Sequence, residues 1–265
     1  MAVVAGCGES PSSGPSGPHR LYQVTAEDLS SANAVELDGS KVADNLGKAL
    51  ELVRDQGLGD PQAATDQAFT TGSLALVVDV QGASSSSSKS APAAVNTYAG
   101  GAAAYDPTSP AQPPLAGTAD GLLVTAGPGD LAMTIAPFGM PLPVVLHGAQ
   151  VQLIAGAEKL QAVVAGGVDP SFVSGTLIPS WQLVVATIVA RDCSTRTPPD
   201  CGCTAHSPGG DAIALLDQTR DCVITADELA NSSIVQSATS PDLTIDGRAM
   251  LSFSLGIEAD FAAQR

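Results

Sequence analysis

Six residues near the end of the chain offer oxygen ligands at a spacing that suits one hard cation. They are Asp217, Thr219, Asp221, Val223 through its carbonyl, Thr225 and Glu228. Calcium prefers carboxylate, hydroxyl and carbonyl oxygens, supplied at alternate positions of a short loop and closed by a glutamate that binds through both oxygens. The spacing therefore predicts a calcium site, with Glu228 as the bidentate ligand.

Residues 217–228 resemble the calcium loops of EF-hand and dockerin-type proteins. Two positions depart from that pattern: Thr219 replaces the usual Asp or Asn, and Cys222 stands where glycine normally makes the sharp turn. A side chain disfavours positive φ, and fewer charges weaken binding. The resemblance implies weak calcium affinity, on the order of 10⁻⁴–10⁻³ M. The alternative is an acidic turn that caps a helix and binds nothing.

Helices are predicted on both sides of this loop. The entering helix begins near Gly209-Gly210, and the leaving helix covers roughly 226–233 because Thr225 and Glu228 match the capping-box spacing. Ile224 is expected to anchor the loop in a core. A shorter acidic repeat from Asp242 to Gly247 lacks a closing acid, so it is interpreted as a turn that leads into the final strand.

Four late cysteines, Cys193, Cys201, Cys203 and Cys222, accompany the loop. An even number in an exported chain predicts two disulfides. Cys201 and Cys203 are too close to pair, so each is expected to reach Cys193 or Cys222, which leaves the connectivity open. The rival interpretation is a zinc site that includes His206, although the spacing lacks the paired cysteines of zinc modules.

The N-terminus carries Val4-Ala5-Gly6-Cys7, which resembles the lipobox of bacterial lipoproteins. A Gly-, Ser- and Pro-rich stretch follows and predicts a flexible tether over 1–24. The resemblance implies lipidation of Cys7 and anchoring in the bacterial cell envelope, at the outer membrane or the cell surface. No basic residue precedes Cys7, so either the true start lies upstream or Cys7 is incidental.

Composition excludes one class of partner. The net charge is −16, from 27 acids and 11 bases, which argues against nucleic-acid binding because that requires a basic surface. Apolar residues make up 44% of the chain but aromatic residues only 3%, so the core is expected to consist of aliphatic side chains. The chain contains no run of about twenty apolar residues, so the sequence predicts no membrane-spanning helix.

The elements that must position the loop predict an α+β fold. Residues 25–72 read as a helical segment, with helices near 41–56 and 60–69. Residues 73–265 read as a β-rich domain that includes the cysteine arm and EF-hand-like segment 192–235. The predicted strands are 73–81, 121–126, 130–136, 142–147, 149–155, 160–166 and a final strand 249–261. Short strands separated by turn residues, such as Gly127-Pro128-Gly129 and Gly148, favour an antiparallel sandwich or barrel. A long helix is predicted near 169–191, kinked or split at Pro179.

No catalytic motif was found, and the three histidines are scattered: His19 in the tether, His147 at a strand end and His206 beside the cysteines. The first hypothesis is a non-enzymatic lipoprotein of the cell surface or periplasm with a structural calcium loop. The second is a carrier or adhesion module for an apolar ligand or surface partner. The third is a secreted hydrolase in which calcium only stabilises the fold.

Overall fold

The computed structural model describes residues 15, 17–30, 33, 36–37, 40–41, 44–82, 90–105, 113–195 and 197–265. Of 36–37, 40–41 and 104 only the backbone is described. Cys7 lies outside these residues, so the prediction of its lipidation is not addressed by the fold.

Eleven strands are present in the described ranges. They are β1 (His19–Asp28), β2 (Glu36–Leu37), β3 (Ser40–Lys41), β4 (Leu76–Gln81), β5 (Ala91–Ala99), β6 (Leu115–Asp120), β7 (Leu123–Ile135), β8 (Leu142–Ala155), β9 (Lys159–Val168), β10 (Leu243–Ile245) and β11 (Arg248–Gln264). Apart from the small β2–β3 pair, they form one antiparallel sheet in the order β1-β4-β5-β6-β7-β8-β9-β11-β10. The predicted α+β class with an antiparallel sheet is confirmed.

The sheet closes on itself because β1 pairs with β11 on one edge and with β4 on the other. Eight strands therefore form a ring, and β10 extends it as a short hairpin on the start of β11. Of the two predicted architectures, sandwich and barrel, the closed ring corresponds to the barrel. A sandwich keeps free sheet edges, and closure of the ring removes them.

The prediction that the tether extends to residue 24 and that helical structure begins at Thr25 is wrong, because His19–Asp28 is strand β1. The sequence of β1 lacks apolar–polar alternation because other side chains cover both faces of this strand. Tyr22 lies in the main core, and Leu21 packs on the other face in a cluster with Tyr105. Strands β5 and β6 were also missed.

Two predicted turns are bulges within one long hairpin. Gly127-Pro128-Gly129 was expected to separate two strands, and Gly148 two more, but β7 and β8 each run through these residues. The register shifts at Gly129 and between His147 and Gln150. Gly127 and Gly148 adopt φ of 104° and 58°, so glycine here permits a bulge rather than a reversal.

The helices are α1 (Asn45–Asp55), α2 (Pro61–Thr71), α3 (Pro170–Phe172), α4 (Ile178–Asp192), α5 (Pro208–Leu216), α6 (Ala226–Asn231) and α7 (Ser233–Ala238). A π-helical turn, Val173–Leu177, joins α3 to α4 directly before Pro179. The kink or split predicted at Pro179 is thus a wider helical turn, which accommodates the N–H that proline lacks. By length and composition Pro170–Asp192 is apolar enough to cross a membrane, a property that core helices share, and a third of it is buried (33%).

One hydrophobic core joins the ring to the helices. Aliphatic side chains from the strands fill it together with residues of α1, α4, α5, α6 and α7. Trp181, Val185 and Val189 form the buried stripe of α4, while Ile224 and Leu229 anchor the loop segment in the same core. The predicted calcium loop is therefore fixed to the body of the molecule through α4.

Candidate functional site

The loop begins where α5 ends, and Asp217 organises its first half. One oxygen of its carboxylate accepts the N–H of Cys222 at 2.8 Å, and the other accepts the N–H of Asp221 at 3.2 Å. Asp217 is nearly buried, with 9% of its surface exposed. The carboxylate thus folds the loop around itself, as an aspartate side chain does when it binds nearby backbone amides.

Cys222 adopts the conformation that the sequence made unfavourable. Its φ is +68°, in the left-handed region, although a side chain there costs about 1–2 kcal/mol. Arg220 also has positive φ, at +59°. The loop therefore makes the sharp turn expected of a glycine without having one.

Glu228 closes the second half of the loop. Thr225 and Glu228 form a complete capping box at the start of α6, which confirms the predicted helix start. One carboxylate oxygen of Glu228 accepts the N–H and hydroxyl of Thr225, at 2.9 and 3.0 Å. The other accepts the N–H and hydroxyl of Thr219, also at 2.9 and 3.0 Å.

The Thr219 hydroxyl links the two halves, since it lies 3.5 Å from an oxygen of Asp217 and 3.0 Å from one of Glu228. Four of the six predicted ligand residues, Asp217, Thr219, Thr225 and Glu228, therefore meet through their side-chain oxygens. Asp221 is exposed, and its carboxylate accepts the N–H of Val223 at 2.9 Å. The structure does not bring Asp221 into the hydrogen-bonded group.

Burial and hydrogen bonding act in opposite directions on Glu228. Burial raises the pKa of its carboxyl, but the hydrogen bonds from Thr225 and Thr219 outweigh that effect, so the pKa lies below its ordinary value. Glu228 is consequently an anion at neutral pH, as a ligand for a hard cation must be.

The four late cysteines form Cys193–Cys203 and Cys201–Cys222, which confirms two disulfides and the expectation that Cys201 and Cys203 do not pair together. Cys201, Cys222 and Asp217 place their sulfur and oxygen atoms within 4.8 Å of one another. A disulfide sulfur is not a thiolate, however, and zinc binds the thiolate. The oxidised chain therefore has no zinc site at these cysteines.

Two glutamines that the sequence did not single out hold the loop. Gln182 of α4 donates to the carbonyl of Ile224 at 3.0 Å, and Gln218 donates to the carbonyl of Glu228 at 3.1 Å. Glutamine at these positions carries no motif, and no sequence signal would have found the contact between Gln182 and Ile224.

Glu27, a buried acid, was also missed. It lies opposite Ile257 in the β1–β11 ladder, so both side chains point into the core. Among the described residues neither carboxyl oxygen of Glu27 has a hydrogen-bond partner. Burial raises the pKa of this carboxyl from 4.5 to about 8. Its proton is therefore retained at neutral pH.

The other predicted features have structural roles. Asp246-Gly247 forms the turn between β10 and β11, with φ of 50° and 76°, which confirms the turn interpretation. His19 is not in a tether but is bonded to Asp79 at 2.8 Å, and Tyr105 donates to the same carboxylate at 2.6 Å. His147 lies within a long strand and bonds Asp130 at 3.0 Å.

A calcium ion bound here would require the side chains to rearrange, because the carboxylates of Asp217 and Glu228 now accept hydrogen bonds from the loop itself. Asp217 and Glu228 present two carboxylates on either side of the Thr219 hydroxyl. Rotation of the Thr219 and Thr225 hydroxyls would expose lone pairs in place of the hydrogens that they now donate. Asp221 would add a third carboxylate by leaving the Val223 amide.

Comparison with known proteins found no matching family, no similar curated protein and no similar solved structure.

Proposed function

We propose that this chain is a non-enzymatic protein of the bacterial cell envelope whose 217–228 loop binds calcium in a structural role. The observation that carries the proposal is the left-handed Cys222, whose N–H meets the Asp217 carboxylate. That turn supports the proposal because it gives the loop the sharp bend that glycine makes in calcium loops. The ion would join α5 to α6 and so fix the helices over the β-sheet ring.

Thermal unfolding tests this role. With an affinity on the order of 10⁻³ M, 10 mM calcium adds about 1.4 kcal/mol, or roughly 3–6 °C in melting temperature. Magnesium demands stricter octahedral geometry and is expected to add less. Equal melting temperatures in calcium and in chelator would contradict the proposal.

A matched pair of variants assigns the effect to the loop. Asp221→Asn removes a predicted ligand charge while keeping an acceptor for the Val223 amide, so it should abolish the rise in melting temperature. Asp227→Asn removes the same charge from the first turn of α6, where no ligand is predicted, and should preserve the rise. An equal loss in both variants would indicate general charge screening instead.

Envelope anchoring is proposed from Cys7 and its neighbours, and the two disulfides support an oxidising compartment. Mass spectrometry of the N-terminal peptide from cells tests it directly. The expected result is a diacylglyceryl mass on Cys7 that disappears in Cys7→Ser. An unmodified cysteine in the mature protein would contradict anchoring.

A second candidate function, carriage of an apolar ligand, is favoured by a cleft among α1, α4, α5 and α7. The cleft is small, about 40 Å³, and its apolar lining includes Leu50, Val53, Phe138 and Trp181. Trp181 is the single tryptophan, so its fluorescence reports occupancy. Saturable quenching or blue shift on titration with dodecanoate supports a carrier. An unchanged spectrum contradicts this role.

A further inference from the structure

Both half-cystines of Cys201–Cys222 adopt left-handed backbone conformations. The φ of Cys201 is +49° and that of Cys222 is +68°, and both residues are buried, at 4% and 1% exposed. An isolated cysteine would rarely stay in this region, since the left-handed conformation places Cβ against the following carbonyl. Two contacts hold Cys222 there: its N–H donates to the Asp217 carboxylate, and its sulfur is bonded to Cys201.

The disulfide connects Cys222 to a rigid arm. Cys193 and Cys203 are bonded to each other and also form a β-bridge. Ser194 donates its N–H to Gly202 at 2.9 Å, and Thr204 donates to Asp192 at the end of α4 at 3.0 Å. Cys201 lies inside this arm, so the sulfur that it offers to Cys222 has a fixed position relative to α4.

We infer that the Cys201–Cys222 disulfide takes the place of glycine in the loop by holding Cys222 in the turn that positions Asp217, which couples calcium binding to the oxidation of this disulfide. The inference rests on the proposed calcium function. Cys222 is a positioning residue, because it acts on the ion through Asp217. Without the disulfide, the left-handed turn would be populated only part of the time, and the apparent affinity would fall by that fraction.

Coupling is reciprocal, so calcium should also protect the disulfide. Reduction by a dithiol such as dithiothreitol breaks the S–S bond, leaves two thiols on the protein and converts the dithiol to its own disulfide. Two electrons and two protons pass from the reagent to the protein. If the oxidised loop binds calcium more tightly than the reduced loop, saturating calcium lowers the equilibrium constant for this reduction by the same factor.

Calorimetric titration with calcium alone separates the possibilities. We expect Cys201→Ala with Cys222→Ala to raise the Kd about tenfold, since the left-handed conformation costs an alanine about 1.4 kcal/mol. Cys201→Ala with Cys222→Gly should restore the Kd to within about threefold, because glycine adopts the turn freely. Cys193→Ala with Cys203→Ala, which removes the other disulfide, should have the smaller effect.

The outcomes distinguish this inference from the proposed function. If the wild-type chain takes up no calcium, the proposed function fails and the coupling fails with it. If the wild-type chain binds and the alanine and glycine pairs bind equally well, only the coupling is overturned. A measurement on the wild-type chain needs no variant: the ratio of reduced to oxidised Cys201–Cys222 at equilibrium in dithiothreitol should fall about tenfold in saturating calcium. Equal reduction in calcium and chelator contradicts the inference.

Discussion

Two glutamates expose little surface but lie in opposite surroundings, Glu27 deep in the core and Glu228 close to the molecular surface. Glu27, in the ring of strands, is fully buried, and its oxygens have no partner among the described residues. Glu228, in the loop, is 7% exposed and accepts four hydrogen bonds from Thr219 and Thr225. The pKa of Glu27 is raised to about 8, whereas that of Glu228 is lowered.

The comparison shows that the depth of the carboxyl and the hydrogen-bond donors around it together decide which acid is charged. Burial alone favours the neutral form of a carboxyl, and that is the state of Glu27. In Glu228 the backbone amides and hydroxyls replace the lost water and keep the anion. The loop therefore presents a charged group suited to a cation, and the sheet carries a neutral acid that weakens the fold at higher pH.

The largest expected effect comes from Glu27→Leu, which removes the neutral acid from the core. The pKa of Glu27 is about 8 in the folded chain against 4.5 ordinarily. The stability associated with its proton is therefore complete below about pH 4.5 and is lost as the pH rises to about 8. Glu27→Leu should be about 3 kcal/mol more stable than the wild type at pH 7.

Urea unfolding of the two proteins at pH 5, 6, 7 and 8 measures this difference. The gap between them should widen by roughly 1 kcal/mol for each pH unit over that range, and the step between pH 7 and 8 should be the smallest because the folded carboxyl then begins to ionise. Glu27→Gln is the control, because it keeps the shape of the neutral acid without titrating, and its curve should follow the slope of Glu27→Leu. If the free energy of unfolding depends on pH in the same way for all three proteins, the raised pKa of Glu27 is contradicted.

An effect of the opposite sign is expected at the other glutamate. Glu228→Gln replaces two acceptor oxygens with one oxygen and one amide group, which faces donors from Thr219 or Thr225. In chelator it should lower the free energy of unfolding by about 1–3 kcal/mol. Asp227→Asn, next to it on the surface, should change stability by less than about 0.5 kcal/mol. Equal values for the two variants would show that the hydrogen bonds contribute nothing.

Asp44 sharpens the comparison because it combines both surroundings. It is buried, and burial raises its pKa to about 6 despite hydrogen bonds from Gly47 and Ser254. Its stability contribution is therefore lost as the pH rises from about 4 to about 6. Asn caps helices as well as Asp does but does not titrate, so Asp44→Asn should be about 1–2 kcal/mol more stable than the wild type at pH 5.

Asp60 provides the matched control for Asp44. It caps α2 through the Ala63 amide, but on the surface. Asp44→Asn should reduce the pH dependence of unfolding between pH 4 and 6 more than Asp60→Asn does. If both variants reduce it equally, the buried position of Asp44 is not the cause.

The same contrast explains what the sequence could predict. Thr225 and Glu228 are three residues apart, and their bonds close within one helical turn, so the capping box was visible as a spacing. The presence of two disulfides was predicted from four late cysteines, and Cys201 and Cys203 were too close in sequence to pair with each other. Local chemistry was sufficient in each case.

Glu27 and the strand that carries it depended on distant partners. β1 pairs with β11, more than two hundred residues away, and Leu21 is covered by Tyr105. Nothing near Glu27 in the sequence indicates either contact. Gly127 and Gly148 were interpreted as turns because glycine permits a bulge and a reversal alike, and only the pairing of β7 with β8 distinguishes them.

The most direct test of the calcium loop is an NMR titration of the backbone amides that bond Asp217 and Glu228. The amides of Thr219, Asp221, Cys222 and Thr225 lose or share their carboxylate acceptors when a cation binds. We expect their signals to shift together and to saturate at one calcium per chain, while Val78 in the sheet stays fixed. Unmoved loop amides, or shifts spread evenly over the acidic surface, would contradict a calcium site.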